Sequence, residues 1–169
     1  SDYDRWAGEG LPSWSYAHVL SYFRRQESWA GGASPYRGGE GPLTTAYSSF
    51  QDPLCAAFIE AGKAMGHPVT EDYNGAYQEG FARVKMTIRK GWRCSAATAY
   101  LRPALRRPNL TVETKVLATK IVMEGTRATV VEDVQDGQKH VARGRRETIL
   151  SGGSINSPQL LELSVIGQP

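Results

Sequence analysis

The chain has 169 residues, of which 20 are basic and 17 acidic, with 40% hydrophobic and 22% charged side chains. A compact domain of this length buries roughly 70% of its unfolded surface, so the composition excludes disorder and permits an independent core. The formal charge of +3 arises from charges spread along the chain, which excludes a large single-sign field.

Two local clusters, Arg102/Arg106/Arg107 and Arg143/Arg145/Arg146, are basic. Neither has interleaved aromatics or the spacing of a finger or helix-turn-helix, so no nucleic acid is expected as a partner. The two cysteines, Cys55 and Cys94, form no CxxC and have no histidine at ligand spacing. No residue is therefore assigned to a metal or a disulfide framework, and a reduced, cytoplasmic setting is preferred. There is no apolar run of about 18 residues and no charged-then-apolar leader, although a chain opening on Ser1 speaks only for the residues it contains.

In chain order, SDYDRWAGEGLPSWS reads as a turn-rich opening. Tyr16, Val19, Leu20 and Phe23 then fall at i, i+3, i+4 and i+7, one face of an amphipathic helix entered through Pro12 and Ser13. Residues 30–47 are rich in Gly and Pro and read as a loop. A second helix has Asp52 as N-cap, Pro53 at its first position, Leu54, Ala57, Phe58, Ala61 and Met65 on one stripe, and Gly66 as terminator. A polar loop with a turn at Asn74-Gly75 follows, and its acidic residues Glu71, Asp72 and Glu79 read as solvated. In FARVKMTIRKG, Val84, Met86 and Ile88 alternate with charged or polar residues, predicting a half-buried strand.

From Cys94 the character changes. A short helix over Ala96–Leu101 is expected to end at Pro103, since a residue before proline avoids the helical region. NLTVETKV, LATKIVM, ATVVEDV and HVARGRRETIL then read as strands with turns at Glu124-Gly125 and Asp136-Gly137. The coarse division is a helical and loop-rich part, 1–92, and a strand-rich part, 93–169.

The closing stretch ILSGGSINSPQLLELSVIG reads as a strand over Thr148–Leu150, a turn Ser151-Gly152-Gly153-Ser154, and a helix starting at Ser157-Pro158. The glycines let the backbone approach a neighbour closely, which can be another element or a ligand at a helix N-terminus. GGSINSPQLLELSVIG closely resembles the second signature of the glucose-methanol-choline (GMC) flavoprotein oxidoreductases. Gly153, Ser154, Ser157, Pro158, Leu160, Leu161, Ser164, Ile166 and Gly167 match, whereas Val165 stands where the family has glycine and Glu162 where an apolar residue is common. Glu162 therefore needs a solvent-facing position, and valine is poorly suited to a positive φ at 165. DYDRWA, WSYAHVLSYFRRQE, YRGGEGPL, DYNGAYQEGF, RCSAATAYLRPALRRPNLTV and EGTRATVVE resemble choline-dehydrogenase-type members in the same order.

The resemblance implies an α/β fold, an α+β mixture. It places residues 93–169 in the central part of a Rossmann-like FAD-binding domain, with a β-meander, a returning strand and a helix, and residues 1–92 in a lid and substrate portion. It implies FAD as cofactor and oxidation of a small alcohol to an aldehyde or ketone by hydride transfer to flavin N5. By counting from NLTV, Ala118 is the position whose backbone bonds the adenine ring, and Gly152, Gly153 and Ser154 line the cofactor cleft. Arg93, Ser95 and Tyr100 match a segment read mainly as structural, while Tyr3, Trp6 and Trp14 read as packing aromatics that can contribute to the lid.

No G-x-G-x-x-G is present; Gly8-Glu9-Gly10 and Gly39-Glu40-Gly41 read as loops. His18, His67 and His140 match neither member of the family's catalytic pair, so no catalytic residue is assigned. The chain is accordingly expected to be an internal segment of a longer oxidoreductase, inactive alone. A non-catalytic binding domain derived from the same family is the alternative.

Overall fold

A computed structural model of the protein describes residues 1–167, and the last two positions of the expected 93–169 region, Gln168 and Pro169, lie outside them. The chain is mixed α/β and divides into two compact units, Ser1–Leu110 and Thr111–Pro169. The division falls later than the change of sequence character at 92/93. Residues 93–110 stay with the first unit because Cys94, almost fully buried, places its N–H on the Thr87 carbonyl at 2.8 Å and its thiol 3.9 Å from the Pro42 carbonyl. No helix among the described residues is long and apolar enough to cross a membrane.

The first unit opens with helix α1, Asp2–Gly8, where a turn-rich segment was expected. The Ser1 hydroxyl accepts from the Asp4 N–H at 3.3 Å and donates to the Asp4 carboxylate at 2.7 Å, a capping arrangement that starts a helix despite the polar sequence. The same carboxylate accepts the Tyr16 N–H at 3.0 Å, fixing the first turn of α2, Tyr16–Gln26, against it. Edge-to-face pairs Tyr3–Trp6, Tyr3–Phe23 and Trp6–Trp14, with centroids 5.3, 5.7 and 5.9 Å apart, cement this corner.

Strand β1, Glu27–Trp29, leaves α2 directly and runs parallel to β2, Leu43–Tyr47, which pairs antiparallel with β3, Lys85–Met86. β2 lies inside the segment read as a loop; the Gly/Pro content masked the β-branched pair Thr44-Thr45 beside Leu43. Helix α3, Pro53–Ala64, has the expected caps, with the Asp52 side chain accepting from Leu54 N–H at 2.9 Å and Gly66 at φ +84°. Its apolar stripe is nevertheless exposed at Leu54, Phe58 and Met65, and its only buried residue is Gly62, whose missing side chain leaves room for the Phe81 ring.

The strand expected in FARVKMTIRKG is broken, and its first half is inverted. β3 joins the first sheet, while β4, Ile88–Arg89, forms a separate hairpin with β5, Trp92–Arg93, through Lys90 and Gly91 at positive φ. Val84 and Met86 are exposed, and the Lys85 side chain between them is 3% exposed. Over 84–86 charge compensation and not hydrophobicity decides which face turns inward, whereas in β4 Ile88 is half-buried and Arg89 exposed, as the sequence pattern has it. The helix after Cys94 also continues past its expected end: a π-turn, Ala97–Leu101, runs into α4, Arg102–Ala104, with Pro103 at the junction. Proline fits there because it opens the short new helix, where an N–H is not needed.

The second unit is a three-stranded meander, β6 (Val116–Glu124), β7 (Arg127–Gln135) and β8 (Gln138–Arg143), in sequential antiparallel order. The β7–β8 turn has Asp136 and Gly137 at φ +50° and +78°, the geometry an Asp-Gly hairpin favours. Residues 109–115 and 148–150 are not strands; among the described residues no strand pairs with Thr148–Leu150, so the expected returning strand has nothing to complete.

Helix α5 spans Gly153–Leu163, starting before the expected Ser157-Pro158 entry and carrying Pro158 inside it. Ser157 is therefore not the cap; from within the helix its hydroxyl accepts the Gly152 N–H at 2.9 Å. The far end of α5 is pinned to β6 by Ser164, a buried hydroxyl that accepts the Ile121 N–H at 2.8 Å and donates to the Leu160 carbonyl at 2.6 Å. Val165 N–H reaches the Glu162 carbonyl and Ile166 N–H the Leu161 carbonyl, both at 2.9 Å, a Schellman ending that needs a left-handed residue at 165. Val165 supplies it at φ +61°, and Glu162 faces solvent.

Two outcomes follow in denaturant unfolding of the protein. Val165→Gly raises stability by up to about 1 kcal/mol, because relief of left-handed strain outweighs the added freedom of the unfolded chain. Ser164→Ala lowers it by about 1–3 kcal/mol, the cost of leaving the buried Ile121 N–H without a partner.

Candidate functional site

The sequence reading missed the densest polar cluster in the first unit. Arg37, 3% exposed, lies in the YRGGEG loop where Gly38 and Gly41 cross the end of α2; a Cβ at either would overlap backbone atoms of Arg24 or Gln26. Its guanidinium grips Glu27 with two bonds, Nε to Oε2 at 2.9 Å and Nη2 to Oε1 at 2.5 Å, and donates from Nη1 to Asp72 Oδ1 at 2.9 Å. The Thr45 hydroxyl donates to Glu27 Oε1 at 2.6 Å, and the Trp29 ring lies 4.6 Å from the guanidinium carbon.

Asp72 also takes Lys85 Nζ at 3.2 Å and the Asn74 N–H at 3.0 Å. It is therefore a shared anion between two cations, not the solvated turn residue its sequence suggested. Burial raises its carboxyl, but the Asn74 N–H, Lys85 and Arg37 outweigh that and hold it below the ordinary carboxylate value. The two cations and two carboxylates balance, and no buried side-chain polar atom among the described residues lacks a partner. Beside this cluster a hollow of about 420 Å³ has Tyr16, Phe23 and Tyr36 among its walls and Glu27, Arg37 and Asn74 at its polar side.

In the second unit Ala118 is exposed on β6, which among the described residues pairs with β7 alone and is therefore an edge strand, its outer side without a strand partner and its Ile121 N–H taken by Ser164. The register slips between Ala118 and Lys120, so Thr119 bulges one residue beyond Ala118. Gly152, Gly153 and Ser154 form the exposed N-terminus of α5, the helix that Ser164 ties to the same strand. Gly153 sits at φ +87° with open space where a Cβ would project, whereas a Cβ at Gly152 would press on Asn156 and Ser157 at 3.2 Å. An exposed strand edge and a side-chain-free helix start are suited to a ligand with a hydrogen-bonding ring and an anionic group.

The histidines are dispersed. His18 Nδ1 lies 2.6 Å from the hydroxyl of half-buried Ser15 at the start of α2, but His18 itself is exposed. His67 packs against Phe81 with centroids 5.6 Å apart, and His140 is exposed on β8 opposite Asp133. Arg93 and Tyr100 are exposed, while Ser95 bonds Thr98 at 3.2 Å and caps the π-turn.

These features describe a mixed α/β chain, and comparison with known proteins specifies it further. The GMC oxidoreductase family model matches residues 1–169. The mitochondrial choline dehydrogenase of Mus musculus is 51% identical over 166 residues, 98% of this chain and 28% of that protein. The oxygen-dependent choline dehydrogenase of Sinorhizobium medicae is 51% identical over 98% of this chain and 30% of its own length. Among solved structures, an FAD-dependent oxidoreductase from Chaetomium thermophilum superposes with TM-score 0.89 at 25% identity, covering 98% of this chain and 31% of that one. Pyridoxine 4-oxidase from Mesorbium loti gives 0.83 at 29% identity, covering 98% and 33%. The chain belongs to the GMC oxidoreductase family, and it spans somewhat under a third of the length of the curated relatives it matches.

The network makes a signed prediction. A carboxyl held below its unfolded value adds stability that is complete above the ordinary carboxylate range and is lost as pH falls through the lowered value. Asp72→Asn therefore destabilises at neutral pH, and the gap from the parent narrows on acidification below that range, measured by thermal unfolding across pH. Arg37→Met, which strands Glu27, costs about 3–5 kcal/mol.

Proposed function

We propose that this chain is part of an FAD-dependent oxidoreductase acting on CH–OH groups, with a small, choline-type alcohol as substrate. The observation that carries the reading is a family match over the whole chain, together with 51% identity to proteins named as choline dehydrogenases. The residues of the second unit fit the cofactor. The edge of β6 at Ala118 offers backbone groups to an adenine ring, for which an alanine side chain is no obstacle, and the bare α5 start at Gly152, Gly153 and Ser154 admits close approach.

When bound, the flavin supplies the acceptor for the hydride that leaves the alcohol carbon. The part played by this chain is to hold and enclose: Ala118 orients the adenine end, Gly152–Ser154 form a wall of the cleft, and the aromatic corner of residues 1–92 serves in the lid and substrate portion. None of His18, His67 and His140 has an arrangement that would hold a proton between base and substrate, since a general base needs an oriented partner and a site shielded from water. In this reading the proton acceptor and the diphosphate loop come from outside residues 1–169, and this segment alone does not turn over alcohol.

The test uses the full-length polypeptide that carries this segment. Ala118→Val is expected to retain stoichiometric yellow FAD, and Ala118→Pro, which deletes a backbone N–H, to lose it at least tenfold in affinity while circular dichroism stays unchanged. Choline oxidation by the full-length protein, and none by residues 1–169 with added FAD, is the expected activity result. Turnover by the segment alone overturns the division of labour.

A further inference from the structure

The environment of Lys85 is a complete cation-recognition site. Its side chain is 3% exposed, and its Nζ lies 4.7 Å from the Tyr73 ring centroid, 5.1 Å from Tyr47 and 5.6 Å from Trp29. Trp29 and Tyr47 stand edge-to-face with centroids 5.2 Å apart, so the walls brace each other. Asp72 Oδ1 at 3.2 Å supplies the anion and the Glu71 carbonyl at 2.5 Å an acceptor. Aromatic faces around an ammonium, closed by one carboxylate, are how proteins bind alkylammonium ligands, because ring quadrupoles replace part of the lost hydration.

We propose that this cage is an alkylammonium-binding site held permanently by the protein's own lysine, and that the tethered ammonium is the latch that keeps the loop 70–78 on the β2–β3 edge. The loop has few other ties to that edge. Tyr73 hydroxyl accepts the Lys85 N–H at 2.9 Å, Tyr47 hydroxyl donates to the Glu71 carbonyl at 3.0 Å, and Asp72 meets Arg37. Lys85 Nζ touches both acidic-loop residues at once, and Asn74 beyond them forms a wall of the 420 Å³ hollow. The latch therefore sets the shape of that hollow. Because the cage is filled, a free ammonium compound bound by the intact protein is recognised at another place, and this holds whether or not the flavin reading is correct.

Removing the tether should empty the site for a free ligand of the same class. In Lys85→Ala, propylammonium restores the missing carbons and nitrogen. The variant is expected to lose about tenfold or more in its folding constant, and propylammonium chloride at tens of millimolar to recover it saturably and about threefold or more, with no effect on the parent. Sodium chloride at equal ionic strength and 1-propanol, the uncharged isostere, should not do so. If Lys85→Ala does not fold, a cycle on Lys85→Met and Tyr73→Leu gives the answer. Tyr73→Leu is expected to cost about fivefold more in the folding constant with Lys85 present than in the Lys85→Met background. Equal rescue by 1-propanol, no rescue of a folded Lys85→Ala, or additivity in the cycle overturns the proposal.

Discussion

Burying Arg37 is the constraint around which the first unit is organised. A guanidinium withdrawn from water is tolerable only when its donors are matched by fixed acceptors, and the surrounding chain is arranged to supply them. Glu27 comes from the exit of α2, Thr45 from the middle of β2, and Asp72 from a loop distant in sequence. Gly38 and Gly41 let the loop pass close enough to the end of α2 for the fork to reach Glu27. The parallel pairing of β1 with β2 places Glu27 opposite Leu43 and Trp29 opposite Thr45, which brings acceptor and aromatic wall to the same side of the cluster. Lys85 is the second cation, and Asp72, shared between the two, ties the β3 strand and the 70–78 loop into one electrostatic unit.

The second unit depends on a smaller interaction of the same kind. β6 is an edge strand, and the N–H of Ile121 would face inward without a partner if Ser164 did not accept it. Ser164 meanwhile returns its proton to the Leu160 carbonyl, so one hydroxyl satisfies two backbone groups and fixes where α5 ends. The GMC signature thus has a physical content in this chain that its letters do not announce. Ser157 closes the first turn of α5, Ser164 docks the last, and Val165 accepts a left-handed backbone so that both closing hydrogen bonds can form. The glycine-rich start of the helix stays exposed.

The α3 stripe of Leu54, Phe58 and Met65 is apolar and exposed in a chain spanning less than a third of its curated relatives. The amphipathic pattern was legible, since the caps at Asp52 and Gly66 and the stripe between them obey local rules. Whether the stripe is buried is not a local property, and here it is exposed. The histidines illustrate the same division: their types and neighbours in sequence argued against catalysis, while the 2.6 Å approach of Ser15 to His18 followed only from the geometry of the α2 entry.

The sequence by itself determined those elements whose causes are local: α2 from its apolar spacing, α3 from its caps, and the β6–β7–β8 meander from β-branched runs broken at Gly125 and Asp136-Gly137. Its order of motifs also determined the family. Tertiary structure alone decided that Lys85 turns inward while Val84 and Met86 face out, that Arg37 is buried, that Asp72 bridges two cations, and that 148–150 is not a strand. The physical reason is one of range. Caps, turns and periodicity act over a few residues and are written in adjacent letters, whereas the neutralisation of a buried charge is met by partners such as Trp29, Tyr47 and Asp72 that share no local pattern and become neighbours only when the chain has folded.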